Sequence, residues 1–490
     1  MTEKIRENRY FLIAGLILLC TCFFSKGFHQ NDEHFQLLEF ASMKLGITPV
    51  GELAWEYTAK MRPAIQVYFI VAVYNTYSLF FDTPNPFTVA LILRVISAIL
   101  ALYASRSLYY LYKEEIDENK NRLLLLFFSC FTWILVYNGV RFSSENWSAI
   151  FFVFGYCTYL KNKQGSYLPF ILSGILLGLS FAIRYQIGFM IFGLGSWTLF
   201  VKKERINNLV YLLLGFSFSV GLGVLADWWF YDDWIFSPWN YLDQNIFQNK
   251  AANFGVQPWW YYFQSVILNG GAPLSLFFVI GSLFLILTKP KSSLTWSIFP
   301  FILCHIFIGH KETRFLFPLV YFLPLIVIHF INDYNQYFSF INEKLMNVLI
   351  KLSIAVNIIL LITVMFKAPN DRIKLLEEIY DQVENNQKTT VLYIDKHPME
   401  LPPVNIFFYR HKQVSFHRVL SRNDLEEASN NQSIVVYRNE KKLKNVIYID
   451  RLLYSSYPSW IEKINWGDWL SRTDWWCIAD SKNFNQAIKY

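Results

Sequence analysis

Apolar runs of bilayer-spanning size recur from Tyr10 to Phe366, and no other feature of the sequence constrains the fold as strongly. The hydrocarbon core is about 30 Å thick, and within it every backbone polar group must be bonded inside the protein. A chain of such runs therefore packs as a bundle of membrane helices. Candidate spans lie at about 10–25, 64–80, 87–112, 123–138, 146–160, 167–183, 186–201, 208–226, 264–287, 294–309, 315–331 and 345–366. Composition agrees: 54% of residues are hydrophobic and 17% charged, against about 25% charged in soluble domains, which excludes an ordinary soluble enzyme. The first run follows Lys4, Arg6 and Arg9 but has no small-residue cleavage site after it, so it is expected to be an uncleaved helix.

Basic residues in short loops set the orientation. The N-terminus, Lys113/Lys120/Arg122, Lys161/Lys163, Lys202/Lys203/Arg205, Lys289/Lys291 and Lys344 are expected on the cytoplasmic side. Between Ser25 and Lys113 the chain must then cross once, yet it carries two apolar stretches. The shorter, Ala64 to Phe80, contains Gln66 and Asn75 and lies between Arg62–Pro63 and Asp82-Thr83-Pro84-Asn85-Pro86, so it is expected to lie at the outer face without spanning. That leaves eleven spans, with the C-terminus outside. A transmembrane domain over 1–366, with a first outer loop at 26–86, is followed at 367–490 by mixed polar sequence. Strand-like runs at Val391–Ile394, Ile406–Tyr409, Ile434–Tyr437 and Val446–Ile449 and a helical Arg372–Val383 make the latter a small α/β domain outside the membrane. The net charge of +7, from 44 Lys+Arg and 37 Asp+Glu, is topological and implies no nucleic acid. Cys20, Cys22, Cys130, Cys157, Cys304 and Cys477 show neither disulfide nor metal spacing.

The polar loops that this orientation places outside carry the candidate chemistry. His29-Gln30-Asn31-Asp32-Glu33-His34 sets two acids directly after the first helix, where they face water, pair with cations or act on a substrate. His29, Asp32 and His34 have the composition of an ion site, but metal binding is the weaker reading. Leu53-Ala54-Trp55-Glu56-Tyr57 with Arg62 suits the headgroup zone. Arg94, roughly 10 Å into a span, needs an anionic partner. Arg141 and Glu145 are spaced to pair with each other, and Arg184, at an outer turn, is placed to snorkel to a headgroup. The loop from Asp227 and Tyr231 to Tyr262 is dense in aromatics that suit sugar rings, isoprenoid tails or the interface alike. Finally, His310-Lys311-Glu312-Thr313-Arg314-Phe315 compresses three potential cations at the outer membrane edge, where they suit a phosphate; the alternative is a headgroup anchor.

In this order, Asp32-Glu33-x-Phe35-Gln36, Trp55-Glu56-Tyr57 with Arg62, Arg141-x-x-Ser144-Glu145, Asp227-x-x-Phe230-Tyr231 with Pro238-x-Asn240, and His310-Lys311-Glu312-x-Arg314-Phe315 resemble the GPI-mannosyltransferase and Alg-type α-mannosyltransferase family, glycosyltransferase family twenty-two of the GT-C superfamily. The resemblance covers roughly residues 10–330. It departs at Ala54, where the family has Thr, and at Glu145, where it has Asn. It implies a GT-C helical bundle and an inverting transferase that moves a mannose-like sugar from a polyprenyl-phosphate donor to a glycan or glycolipid acceptor at the non-cytoplasmic face, giving an α linkage.

Such a donor brings its own leaving group, so the enzyme needs a base for the acceptor hydroxyl and cations for the departing phosphate, and no cofactor or metal. Asp32 and Glu33 are the candidate bases. His310, Lys311 and Arg314, with Arg94 and Arg184, are the candidate phosphate ligands, and Trp55, Glu56, Arg62, Arg141, Glu145, Asp227 and Tyr231 the candidate substrate contacts. Residue usage rich in Ile, Asn, Lys and Phe points to a bacterial inner membrane with a periplasmic site; in a eukaryote the equivalent place is the luminal face of the endoplasmic reticulum. An O-antigen ligase or polymerase would lack the acidic pair after the first helix. A lipid-glycan transporter would show two related, broken halves, which this sequence does not.

Overall fold

The computed structural model describes residues 2–82, 84–116, 118–162, 166–338, 342–383, 389–393, 396–419, 433–437, 452–465, 473 and 475–480. The chain divides into two compact units. One comprises residues 1–25, 55–73 and 91–367; the other comprises 26–54, 74–90 and 368–490.

The first unit is helical. Its elements are α1 (Thr2–Phe24), α2 (Ile65–Ser78, which belongs to this unit as far as Val73), α3 (Pro86–Tyr112, from Leu91 onward), α4 (Asn119–Phe131), α5 (Trp133–Gly139), α6 (Ser144–Lys161), α7 (Leu168–Ile183), α8 (Gly188–Phe200), α9 (Ile206–Tyr231), α10 (Tyr261–Asn269), α11 (Leu274–Thr288), α12 (Ser293–Phe307), α13 (Leu323–Asp333) and α14 (Glu343–Phe366). Six helical stretches among the described residues are long and apolar enough to cross a membrane: Glu3–Phe24, Pro86–Glu115, Asn119–Gly139, Ile206–Tyr231, Thr313–Gln336 and Glu343–Gln382. α7, α11 and α12 are apolar but shorter. The expected count of eleven is therefore not reproduced by length and composition. α2 has 14 residues, about 21 Å at 1.5 Å per residue.

Two expected spans are broken. The run at 123–138 bends at Thr132 (ψ 122°), and the backbone groups freed there bond to a side chain of α14: Asn357 accepts from the Trp133 amide (2.9 Å) and donates to the Phe131 carbonyl (2.7 Å). The run at 264–287 breaks at Gly270–Gly271, where Gly271 has φ +77° and Trp133 Nε1 donates to the Gly270 carbonyl (3.1 Å). The run at 315–331 opens as a 3₁₀ segment, Thr313–Phe322, with Pro318 inside it.

α7 and α9 are in close backbone contact. Gly174 and Gly178 recur four residues apart on α7, and Gly215, Ser219 and Gly223 do so on α9, so each helix presents a small-residue stripe. A Cβ on Gly174 would lie 2.0 Å from the Leu212 carbonyl oxygen, and one on Gly215 2.2 Å from that of Ile171. The backbones touch, and Ser219 Oγ bonds the Ile175 carbonyl across the gap (2.8 Å).

The second unit carries a five-stranded sheet. Its strands are β1 (Thr389–Tyr393), β2 (Val414–Arg418), β3 (Ser433–Tyr437), β4 (Leu452–Ser455) and β5 (Cys477–Asp480), in the order β2-β1-β3-β5-β4. β1 runs parallel to β2 and β3, with Val391 opposite Phe416 and Ile434, and β5 is antiparallel to β3 and β4. Helix α15 (Asp371–Gln382) is capped by Asn370, whose side chain accepts from the Arg372 amide (3.1 Å), and it buries Ile373, Leu376 and Ile379. The expected strand at 406–409 is not a strand, because its amides bond to a carboxylate instead of a neighbouring ladder. The expected strand 446–449, Ile394 and the expected loop residue Lys163 lie outside the described residues.

Residues 26–54 and 74–90 pack with this C-terminal chain in one unit. Rings interleave there: Phe28 on His34 (5.1 Å, 22°), His34 on Tyr409 (5.6 Å, 12°) and Tyr409 on Phe87 (4.6 Å, 24°).

Candidate active site

In the helical unit, the predicted polar residues converge at the N-terminus of α6. Ser143 caps the helix, its Oγ accepting from the Asn146 amide (3.2 Å), which leaves Glu145 in the first turn, where the helix dipole favours an anion. Asn146 is fully buried and fixes that turn. It donates to the Arg141 carbonyl (2.8 Å) and accepts from Tyr321 (2.6 Å) and Asn138 (3.2 Å).

Glu145 is 2% exposed and pairs with Arg314 Nη1 (3.0 Å) and Arg184 Nη1 (3.1 Å). Arg314 is clasped on its other edge by Glu312, Nε to Oε2 at 2.7 Å and Nη2 to Oε1 at 3.1 Å. Glu312 also contacts His310 Nε2 (3.0 Å), while His310 Nδ1 faces the Gly255 carbonyl (2.9 Å). The result is a line of contacts, Arg184–Glu145–Arg314–Glu312–His310, buried at Arg184, Glu145 and Arg314 and half-buried at Glu312 and His310. Lys311 lies beside it with Nζ donating to the Gln257 carbonyl (3.2 Å) and to that of Ile308, and burial pulls its pKa down. Arg184, at the α7–α8 turn, also donates to Ser144 Oγ (2.9 Å). Burial lowers its pKa, Glu145 and Tyr241 oppose that, and Arg314 and Arg62 add repulsion, so three guanidiniums share one neighbourhood.

Arg62 brings in the second predicted group. Its guanidinium reaches Glu56 (3.4 Å) and lies 5.6 Å from the centre of the Tyr241 ring. Its amide and carbonyl bracket the Tyr231 hydroxyl (3.3 and 2.9 Å). Asp227 accepts from the Ala64 amide (2.7 Å) and from Ser237 Oγ, and Asn240 donates to the Lys60 carbonyl (3.1 Å). Asp227, Tyr231 and Asn240 thus pin residues 60–64 beside the end of α9. Trp55 stacks on Phe254 (6.2 Å, 20°) with Lys250 over its face.

Two further predicted residues lie in the same unit. Arg94 Nε donates to the Cys22 carbonyl (2.8 Å) in the last turn of α1. Arg141 donates to Ser25 Oγ (3.2 Å) and lies over Tyr137 (4.1 Å), while Glu145 is paired as described with Arg184 and Arg314.

In the second unit, Asp32 and Glu33 form a short helix, Asn31–Glu33. Glu33 is buried and its Oε2 accepts from the His29 amide (3.2 Å); Asp32 is half-buried. His34 bonds through Nε2 to Glu39 (2.7 Å) and sits between aromatic rings, so it belongs to the core and not to an ion site. Among the described residues no group of three His, Cys, Asp or Glu side chains is arranged to hold a metal. Glu39 went unremarked in the sequence; its one signal, an acid among apolar neighbours, reads equally as a solvated helix face.

The model of the Alg9-like mannosyltransferase family matches residues 10–409, which include all of these groups. The chain belongs to this family. The Alg9-like chain is 27% identical over 381 residues to GPI mannosyltransferase 3 of Debaryomyces hansenii, covering 73% of this chain and 66% of that one. It is 26% identical over 336 residues to human GPI alpha-1,2-mannosyltransferase 3, covering 65% and 57%. It thus spans about three fifths of the length of these relatives. The crystal structure of ArnT from Cupriavidus metallidurans in the apo state superposes with a TM-score of 0.50 at 9% identity, over 92% of this chain and 97% of that one. The fold is of the GT-C type.

Proposed function

We propose that this Alg9-like chain is an inverting mannosyltransferase that takes its sugar from a polyprenyl-phosphate donor at the non-cytoplasmic membrane face and passes it to a hydroxyl of a glycolipid acceptor of the GPI type. Family membership and relatives named as GPI mannosyltransferases support the sugar and the acceptor class. The observation that carries the donor class is the array of buried Arg184 and Arg314 with half-buried Arg62, held by Glu145, Glu312 and Glu56. Burying several guanidiniums is costly unless each keeps an anionic partner, and the group that rewards such a cluster is a phosphate.

In this reading Asp32 takes the proton of the acceptor hydroxyl as its oxygen attacks C1 of the mannosyl phosphate from the face opposite the leaving group. The C1–oxygen bond to phosphate breaks, inverting C1, and the bond's electron pair leaves with the lipid phosphate. Arg314, Arg184 and Lys311 stabilise the charge that grows on the phosphate, with His310 acting through Glu312. Trp55, Glu56 and Arg62 line the sugar site, and Asp227 and Tyr231 hold Arg62 and Ala64 in place. No step requires a metal or cofactor. In this reading the chain from 367 onward lies outside the membrane, together with the first-loop residues 26–54 and 74–90 that fold in the same unit.

The test is transfer by the purified protein in detergent or nanodiscs from a panel of polyprenyl-phosphate sugars, with GDP-mannose as the control donor. Mannose transferred from the lipid donor and not from the nucleotide is the expected result. Transfer from the nucleotide alone refutes the donor assignment.

A further inference from the structure

Glu39 is buried as deeply as any acid among the described residues, and it accepts from four donors contributed by three stretches of chain. Its Oε1 accepts from His34 Nε2 (2.7 Å) and from the amides of Phe407 (2.8 Å) and Phe408 (3.0 Å); its Oε2 accepts from Thr48 Oγ1 (2.6 Å). Thr48 has one hydroxyl proton, so its second contact, to Ser42 Oγ (2.7 Å), runs from Ser42 to Thr48. Four donors match the roughly four lone-pair sites of one carboxylate.

The segment this carboxylate holds is irregular. Residues 406–410 form no strand, yet Phe408 and Tyr409 are buried, and a buried amide outside a ladder must find another acceptor. Glu39 supplies it across 368 positions of sequence. On its other side it fixes His34, two residues beyond Asp32, with the ring clamped between Phe28 and Tyr409.

We propose that Glu39 is a positioning residue for the acid-bearing turn, and that residues 402–410 therefore help to set the position of Asp32. The carboxylate ties the turn at 31–38 to the C-terminal chain, and the His34 ring between Phe28 and Tyr409 prevents that turn from rotating. The inference rests on Asp32 being the base. It adds that Asp32 depends on a contact made nearly four hundred residues later.

Glu39→Gln keeps the shape but directs an amide N–H₂ at one or more of the four donors. In the full-length protein, hydrogen–deuterium exchange of peptides covering 28–38 and 402–410 should rise together while the membrane helices stay protected. The kcat should fall about tenfold with donor KM nearly unchanged. In the Asp32→Asn background, Glu39→Gln should add no further loss, because a residue acting only through Asp32 has nothing left to act on.

If Glu39→Gln fails to fold, Thr48→Val removes a single donor and should show the same pattern at about two- to fivefold. Unchanged exchange at 28–38, an unchanged kcat, or a loss that adds fully to that of Asp32→Asn overturns the proposal. Wild-type turnover in Asp32→Asn would overturn the assignment of the base instead, and the coupled exchange of the two peptides would still stand or fall by itself.

Discussion

Asp32 and Glu33 are adjacent but differ in burial, and conservative amides at the two positions should separate their roles in the proposed mechanism. Glu33 is buried with Oε2 on the His29 amide at 3.2 Å, a contact that starts the turn. Glutamine keeps a carbonyl oxygen for that amide and loses the charge assistance of that contact, about half of the 1.5–3 kcal/mol that a hydrogen bond to a charged group contributes. At 1.36 kcal/mol per decade, Glu33→Gln should cost three- to tenfold in turnover at most. Asp32 is half-buried on the same short helix, and its amide cannot take a proton from the acceptor. Removing a general base costs about 10²–10⁴-fold, or roughly 3–5 kcal/mol in the barrier. The assay is single-turnover transfer of labelled mannose from polyprenyl-phosphate-mannose at saturating acceptor, with both variants matched for folded protein. A larger loss in Glu33→Gln than in Asp32→Asn, or wild-type rates in both, refutes the assignment.

Arg314→Ala should lower kcat/KM for the donor about 100-fold or more and leave acceptor KM nearly unchanged, because it removes the guanidinium shared by Glu145 and Glu312; normal donor kinetics in a smaller folded fraction would make Arg314 an ion-pair strut instead. Gly215→Ala would set a Cβ 2.2 Å from the Ile171 carbonyl oxygen, so α7 and α9 must separate by about 1 Å at a cost of about 1–3 kcal/mol, whereas Gly221→Ala on the same helix meets nothing within 4 Å. Denaturation in detergent should show a clear loss for the first and little for the second, and equal behaviour would remove the close-packed pair. A reporter fused after Tyr490 should score as non-cytoplasmic; a cytoplasmic signal would mean that the count of crossings is wrong by one.

The membrane helices were legible because hydrophobic runs declare themselves locally, but the places where they break were not. Thr132 looks like an unremarkable residue in a span, and only Asn357, 225 positions away, makes the break tolerable. The same limit explains 406–409. Its apolar pattern suits a strand, and the choice was made by Glu39 capturing two of its amides. At the site, spacing placed Arg141 within reach of Glu145, while folding delivered Arg184 and Arg314 to it from two later turns. The four-residue repeats of Gly174–Gly178 and Gly215–Ser219–Gly223 were present in the sequence, and their meaning depended on each having the other as partner.

What an acid does in this protein is decided by what faces it. Glu145 and Glu312 face guanidiniums, Glu56 faces Arg62, Glu39 faces two amides, a histidine and a threonine, Asp227 faces the Ala64 amide and Ser237, and Glu33 faces the His29 amide. Each of these contacts uses the carboxylate as a fixed hydrogen-bond or ion-pair acceptor. A general base has the contrary requirement, since it must gain a proton during the reaction and release it afterwards. A carboxylate surrounded by fixed donors is a poor candidate for that role, however close to substrate it lies. Partial exposure, by contrast, lets a base exchange its proton with solvent between turnovers. In the proposed mechanism that requirement falls on Asp32, which is half-buried in a turn whose neighbours Glu33 and His34 are held by backbone and ring contacts.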